Sequence, residues 1–423
     1  MFKQIIKIIW NQRAGNAWIW GEMFLVSICL WYIVDDLYTK TSLYYSPMGY
    51  DISDVYVIDL RTLTDENNEY HPQSEYGTTL GEDLLTLMSR MRTFPGVETV
   101  GMSESSLPYS YARNYSSMER INRETNDTLR SDRARRFNGT PDYIRVFRYA
   151  TSNGNTEILA DNLNHNQRII SSDTEKDLYP EGNAAGKFMN YNESDSLEIY
   201  IGGVMDKIRF GDFDTYTPTF IRPLSENLIA SELNEFIFGS IDITIRVNPS
   251  TGKDFKEHFR KEMKNQLRYN NFYLLDIRSY DNIRSKYIRS DINNTKMYLA
   301  AVFFLLINIF LGIVGTFFFR TQQRQSEMGL RIALGSTTGN LRTILIGEGL
   351  IVLLFAFLPA AIISLNIGLK EIINIESMSF TAGRFLICQV MTLLLMSLMI
   401  TIGIWYPAQQ TTRMNPADAL RNE

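Results

Sequence analysis

A chain of 423 residues with a formal charge of −5 has room for several structural units and lacks the basic excess that a nucleic-acid-binding face requires. Its mean hydropathy, just below zero, averages long apolar runs with a hydrophilic insert. Two cysteines in the whole sequence exclude a disulfide scaffold.

Residues 1–16 hold Lys3, Lys7 and Arg13 and no acid. Phe2, Ile5, Ile6 and Ile9 share a helical face opposite the lysines. That pattern suits a cytoplasmic amphipathic segment lying on the membrane, and equally a basic tail that only sets topology. Residues 17–37 form the first expected span. Ala17 to Val34 carries one charge, Glu22, and the run ends in Trp31, Tyr32, Asp35 and Asp36 without a small-x-small cleavage site. It therefore reads as an anchor and not as a signal peptide.

Residues 38–297 form a large hydrophilic domain, expected to be extracytoplasmic, of α+β class and in two lobes. Asp54 to Leu60 reads as a strand, Leu80 to Met91 as an amphipathic helix, and Val97 to Met102 as a second strand after Phe94-Pro-Gly-Val97. The order recurs further on. Ile241 to Val247 is strand-like, Asp254 to Leu267 helical and Phe272 to Ile277 strand-like, before a helix running from Tyr280 toward the second span. Two β-α-β units so far apart imply one lobe assembled from about 50–106 and 233–290. The segment between, about 107–232, is expected to be a β-rich inserted lobe, with Arg168 to Ser172 and Leu197 to Val204 as its clearest strands.

Three more apolar runs follow. Residues 298–319, 343–369 and 385–406 are each long enough to cross the roughly 30 Å hydrocarbon core as helices. Residues 320–342 form a loop, 370–384 a second loop and 407–423 a tail. Glu348 is the one charge in the run from Ile344 to Leu369, and Pro359 should kink or loosen that helix. The loop 320–342 holds Arg320, Arg324, Arg331 and Arg342 against Glu327 alone, which places it inside with both termini and the large domain outside. The chain from Asp35 to the second span then carries about −9. Gly312 and Thr316 offer a small-residue face for close helix approach, a pattern common by chance. Cys29 and Cys388 both fall in expected spans, where buried packing is the simplest role.

Several motifs fail on chemistry. Gly182-Asn-Ala-Ala-Gly-Lys187 is one residue short of a phosphate loop, and Phe188 stands where a magnesium-binding hydroxyl is required. His71, His165 and His258 have no metal-ligand spacing, and no nucleophile elbow or zinc-protease helix occurs. No catalytic site, cofactor site or metal site is expected in the chain itself.

The loop between the second and third spans is different. In Arg324-Gln-Ser-Glu-Met-Gly-Leu-Arg-Ile-Ala-Leu-Gly-Ser336, the residues Glu327, Gly329, Arg331, Ala333 and Gly335 are interleaved with Met328, Leu330, Ile332 and Leu334. A short amphipathic helix stopped at Gly335 could dock into a groove of a cytosolic partner, or the segment could be a basic connector.

This segment resembles the E-I-G-I-R-K-A-L-G-A loop of MacB- and FtsX-type permeases of ABC transporters, the mechanotransmission class. The ending Met414-Asn-Pro-Ala-Asp-Ala-Leu-Arg-Asn-Glu423 resembles that family's Pro followed by A-L-R-x-E. Phe94-Pro-Gly-Val97 is similar to its early P-G-V, and Asn183-Ala-Ala-Gly-Lys187 to an N-P-I-G-K turn. Met328, Ile332 and Ser336 depart from the usual Ile, basic residue and Ala.

The resemblance implies a bacterial inner-membrane permease subunit without its own ATPase, dimeric with itself or a relative. ATP would be bound by a cytosolic ABC ATPase docked on Glu327, Met328, Gly329, Leu330, Arg331, Ala333, Leu334 and Gly335. Glu22 and Glu348 would have structural or coupling roles in the membrane. The work would be efflux of a periplasmic substrate such as an antimicrobial peptide, drug or lipoprotein, with a possible periplasmic adaptor. The alternative is a regulatory scaffold that activates a cell-wall hydrolase or relays a signal.

Overall fold

The computed structural model describes residues 13–112, 114–121, 128–163, 167–191, 199–251, 254–323, 330, 334–373 and 378–412. The amphipathic segment expected before residue 13 and the motif after residue 412 lie outside these residues. The chain divides into two compact units, Tyr45–Arg289 and Met1–Tyr44 with Ser290–Glu423.

Helix α1 spans Arg13–Tyr45. The larger unit then begins with β1 (Val55–Thr62), α2 (Leu80–Arg92) and β2 (Val97–Glu104). Thr79 and Glu82 close a reciprocal capping box at the start of α2, which satisfies two amide donors the helix cannot pair internally. Leu84, Leu87, Met88 and Met91, spaced three or four apart, are fully buried. Each such side chain contributes about 1.5–3 kcal/mol on leaving water.

After the insert come β9 (Ile241–Val247), α8 (Phe255–Gln266) and β10 (Phe272–Ser279). The four strands pair in the order β10-β1-β9-β2, and all three contacts are antiparallel. The two β-α-β units are thus interleaved as a split β-α-β fold. Phe255, Phe259 and Met263 of α8 join the α2 side chains and Val100, Ile243, Ile245, Phe272 and Ile277 in one core.

The insert contributes β3 (Tyr115–Ile121), β4 (Thr128–Gly139), α3 (Pro141–Phe147), α4 (Glu157–Asn162), β5 (Gln167–Ser171), α5 (Ser172–Leu178), β6 (Phe188–Tyr191), β7 (Ile199–Met205), β8 (Thr219–Pro223), α6 (Glu226–Glu232) and α7 (Glu235–Phe238). Its strands run β4-β3-β6-β7-β5-β8, and β8 returns to pair in parallel with β4. Six strands therefore close into a barrel, filled by Met118, Ala134, Ile170, Met189, Ile201 and Phe220. Closure removes the open edges that a six-stranded sheet would otherwise expose. The barrel is continuous with the first sheet through Ser103 and Glu104 of β2, opposite Gly139 and Asn138 of β4.

Aromatic and cationic side chains tie the barrel's base to the split β-α-β lobe. The Tyr143 hydroxyl donates to the Ser106 carbonyl at 2.6 Å and lies 3.1 Å from the Tyr149 hydroxyl, while Tyr280 donates to Pro108 at 2.8 Å. Burial pushes the Tyr143 and Tyr280 phenols well above their ordinary range, so both act as permanent donors. Arg246, 2% exposed, donates to the carbonyls of Val146, Ser53 and Asp51 and to the Asp51 carboxylate.

Gly81 marks where α2 meets α6. A Cβ there would stand 1.9 Å from the Ile229 carbonyl oxygen, a backbone atom that cannot swing away. Gly81→Ala is expected to lower stability by about 1–3 kcal/mol through overpacking. Helix propensity alone would raise it by up to about 1 kcal/mol. A higher melting temperature for the variant would therefore refute the close approach.

The helix expected from Tyr280 into the second span is in fact two. Helix α9 (Tyr280–Tyr287) ends at Ile288, whose amide donates to Arg284, and α10 (Arg289–Gln323) follows. Helices α11 (Thr338–Leu369) and α12 (Ala382–Thr412) complete the smaller unit, and α11 continues through Pro359. Ala17–Tyr45, Arg289–Thr316, Thr338–Leu369 and Ala382–Trp405 are each long and apolar enough to cross a membrane. Cys388 is buried, but Cys29 is exposed on α1, because it falls on the face opposite buried Met23, Ser27 and Leu30.

Candidate coupling loop and buried charges of the helical unit

The loop expected to carry function lies between Gln323 and Thr338. Its far end is fixed by Thr337, whose hydroxyl accepts the Asn340 amide at 3.3 Å and caps α11. Leu334 donates its amide to the Leu330 carbonyl at 3.0 Å. Both side chains are exposed, Leu330 by 51% and Leu334 by 78%. Gly335 has φ +93°, a left-handed conformation that L side chains rarely adopt and that stops a helix. Glu327, Met328, Gly329, Arg331 and Ala333 lie outside the described residues.

The two acids expected in the membrane have distinct surroundings. Glu22 of α1 faces Gly312 of α10, where a Cβ would stand 2.6 Å from Oε1. Gly312 therefore makes room for a carboxylate, a use of the small-residue position that sequence reasoning did not anticipate. Glu348 is 1% exposed within α11, inside the packed helices and not at their surface. Arg342 lies over the Trp405 ring at 6.0 Å.

A third charged feature was missed. Asp35, nearly three turns before the end of α1, and Arg384 in the first turn of α12 are 1% and 3% exposed. Arg384 donates from Nε to Oδ1 at 2.9 Å and from an Nη to Oδ2 at 2.5 Å, and also bonds the Met378 carbonyl. This two-point pairing satisfies charges that would otherwise be costly to bury. A signal existed in the sequence. Asp35 closes the first span and Arg384 opens the fourth, so antiparallel helices bring them to one level.

Residues 299–416, which cover most of α10, the loop, α11 and α12, match the family model FtsX, described as FtsX-like permease C-terminal. This part of the chain is an FtsX-like permease region. A search of curated proteins gave no match. Among solved structures, the extracellular domain of the noncanonic ABC-type transporter YknZ from Gram-positive bacteria shares 15% identity, covering 52% of this chain and 100% of that one, with a TM-score of 0.28. The periplasmic region of MacB from Actinobacillus actinomycetemcomitans shares 10% identity, covering 58% and 97%, with a TM-score of 0.32.

In the large domain, the residues of the phosphate-loop-like segment and two of the histidines are engaged within the fold. In the turn after α5, the Ala184 amide donates to the Glu175 carboxylate at 2.9 Å, and Lys187 lies 3.8 Å from Glu181. Amides and a lysine already engaged by acids do not form a phosphate cradle. His71 and His258 each pair with a glutamate one turn on, at 3.1 and 2.9 Å. Among the described residues no three His, Cys, Asp or Glu side chains gather as a metal site requires.

Proposed function

We propose that this chain is the membrane subunit of an ABC-type transporter, coupled to a separate cytosolic ATPase through the loop between α10 and α11. The observation that carries the reading is the FtsX-like permease match over residues 299–416, which includes that loop. The exposed Leu330 and Leu334, with the left-handed Gly335 after them, support it, since docking into a groove needs apolar anchors. ATP belongs to the partner in this reading, and no cofactor is held by this chain.

ABC ATPases work in pairs, so two permease chains assemble, identical or related. Closure of the ATPase pair moves the loop and, through α1 and α10, the large domain that follows and precedes them in the chain. The domain faces the periplasm or exterior, both termini face the cytoplasm, and the cargo is a periplasmic substrate expelled with or without an adaptor.

Exchanging the charges at Glu327 and Arg331 (Glu327→Arg with Arg331→Glu) is expected to abolish co-purification of the ATPase while leaving membrane insertion intact. Undiminished co-purification would end the coupling assignment.

A further inference from the structure

A cavity of about 500 Å³ opens in the large domain between β9 and β10, the segment that follows β2, and α9. Its volume lies in the range of small-molecule sites. Every residue that lines it belongs to the Tyr45–Arg289 unit. Asp242 of β9, Asp276 and Arg278 of β10, Lys256 of α8 and Lys286 of α9 supply its charge. Three of the five are engaged. Arg278 pairs with Asp59 at 2.7 Å, and Asp276 pairs with Arg260 and, at 4.0 Å, with Lys256.

Asp242 and Lys286 are the other two. Among the described residues no cation lies within ion-pair distance of Asp242, and no acid within that distance of Lys286. Both line one cavity, so they share a space across a gap too wide for a direct pair. An unpaired carboxylate shielded from water is costly, and burial accordingly raises the Asp242 carboxyl to about 7. The groups acting on it are Arg278 and Asp59 from β10 and β1, the Ser106 backbone, Tyr143 from α3 and Tyr280 at the start of α9.

The wall beside these charges is aromatic. Tyr109 and Tyr111 contact the Tyr287 ring, with centroids 5.6 and 5.4 Å apart. Tyr109 holds φ +58°, a left-handed conformation that a bulky residue adopts only under constraint. The hydroxyl oxygen of the next residue, Ser110, is buried with no hydrogen-bond partner among the described residues. A strained backbone and an unused polar group in one wall are features that cluster where a fold is shaped for a ligand.

We propose that this cavity binds a free α-amino acid with an aromatic or large apolar side chain. Its ammonium pairs with Asp242, its carboxylate with Lys286, and its side chain lies against Tyr109, Tyr111 and Tyr287. A zwitterion suits the cavity better than a simple ion. A lone cation would leave Lys286 unanswered, and a lone anion would leave Asp242 buried without a counter-charge. The tyrosine rings present flat apolar area for the side chain to stack on. The assignment involves the large domain alone, so its failure leaves the coupling proposal untouched.

The test is calorimetric titration of the purified full-length chain in neutral detergent at pH 8, with phenylalanine, phenethylamine and 3-phenylpropionate. Phenylalanine is expected to bind about tenfold more tightly than either analogue, each of which lacks one of its two charges. Asp242→Asn is expected to weaken phenylalanine binding by about tenfold or more while the chain stays folded, since the substitution removes a buried charge. Lys286→Gln, at an exposed position, is expected to weaken it several-fold. Lowering the pH from 8 to 5.5 is expected to weaken binding by about tenfold as Asp242 takes up a proton, while phenylalanine keeps both charges throughout. Either analogue binding as tightly as phenylalanine, no heat at millimolar phenylalanine, or equal binding by Asp242→Asn would overturn the proposal.

Discussion

Arg384→Met is expected to destabilise the helical unit by about 3–5 kcal/mol, the usual cost of leaving one member of a buried ion pair alone. The partner left behind, Asp35, is 1% exposed and has no water to turn to. Asp35→Asn should cost a similar amount, since it leaves the guanidinium without its charge partner. The double variant Asp35→Asn/Arg384→Met should recover most of the loss, because a neutral pair of similar volume carries little desolvation penalty. Denaturant unfolding of the purified chain in detergent measures all three. Additive losses in the double variant would show that the two residues are not coupled as the geometry requires.

Replacing Asp242 by Asn is expected to alter the pH dependence of the large domain. Asp242 stands in β9 and is largely shielded from solvent. That shielding, with Asp59 nearby, outweighs the favourable Arg278 charge and raises its carboxyl from 3.8 to about 7. Arg278 cannot serve Asp242 fully because it is ion-paired to Asp59 at 2.7 Å. A carboxyl whose folded value is raised costs nothing below pH 3.8, where both states are protonated. The cost grows as pH climbs toward 7 and is complete above it, on the order of 4 kcal/mol. Asp242→Asn should therefore leave stability unchanged near pH 4 and raise it by that order at pH 8. Melting curves of the full chain from pH 4 to 8 give the comparison, and parallel slopes for the two proteins would refute a raised carboxyl.

Legibility from sequence followed the physics of each element. The apolar helices were readable because a hydrocarbon environment forces whole segments to be apolar at once. Helix α2 was readable because Leu84, Leu87, Met88 and Met91 repeat at helical spacing before Phe94-Pro-Gly-Val97. The barrel was not, beyond its β-rich character. Its strands are short, and its closure depends on Arg135–Gly139 meeting Thr219–Pro223 across a long separation that no local pattern encodes. The Asp35–Arg384 pair was hidden for a related reason. Each charge alone looked like an ordinary span boundary, and only the packing of α1 beside α12 buries both. The break at Ile288 escaped notice because nothing in the residues from Tyr280 to Arg289 forbids a continuous helix.

The entry and exit strands of the large domain, β1 and β10, are neighbours, with Tyr56 opposite Ser279. Two chain ends leaving an antiparallel ladder at the same rung have a directional response to load. Moved together, they carry the whole sheet along as a solid handle, with every rung unstressed. Drawn apart, they open the ladder from its first rung like a zip, one pair of hydrogen bonds at a time. The fold is thus stiff toward a common push and soft toward separation of its tethers.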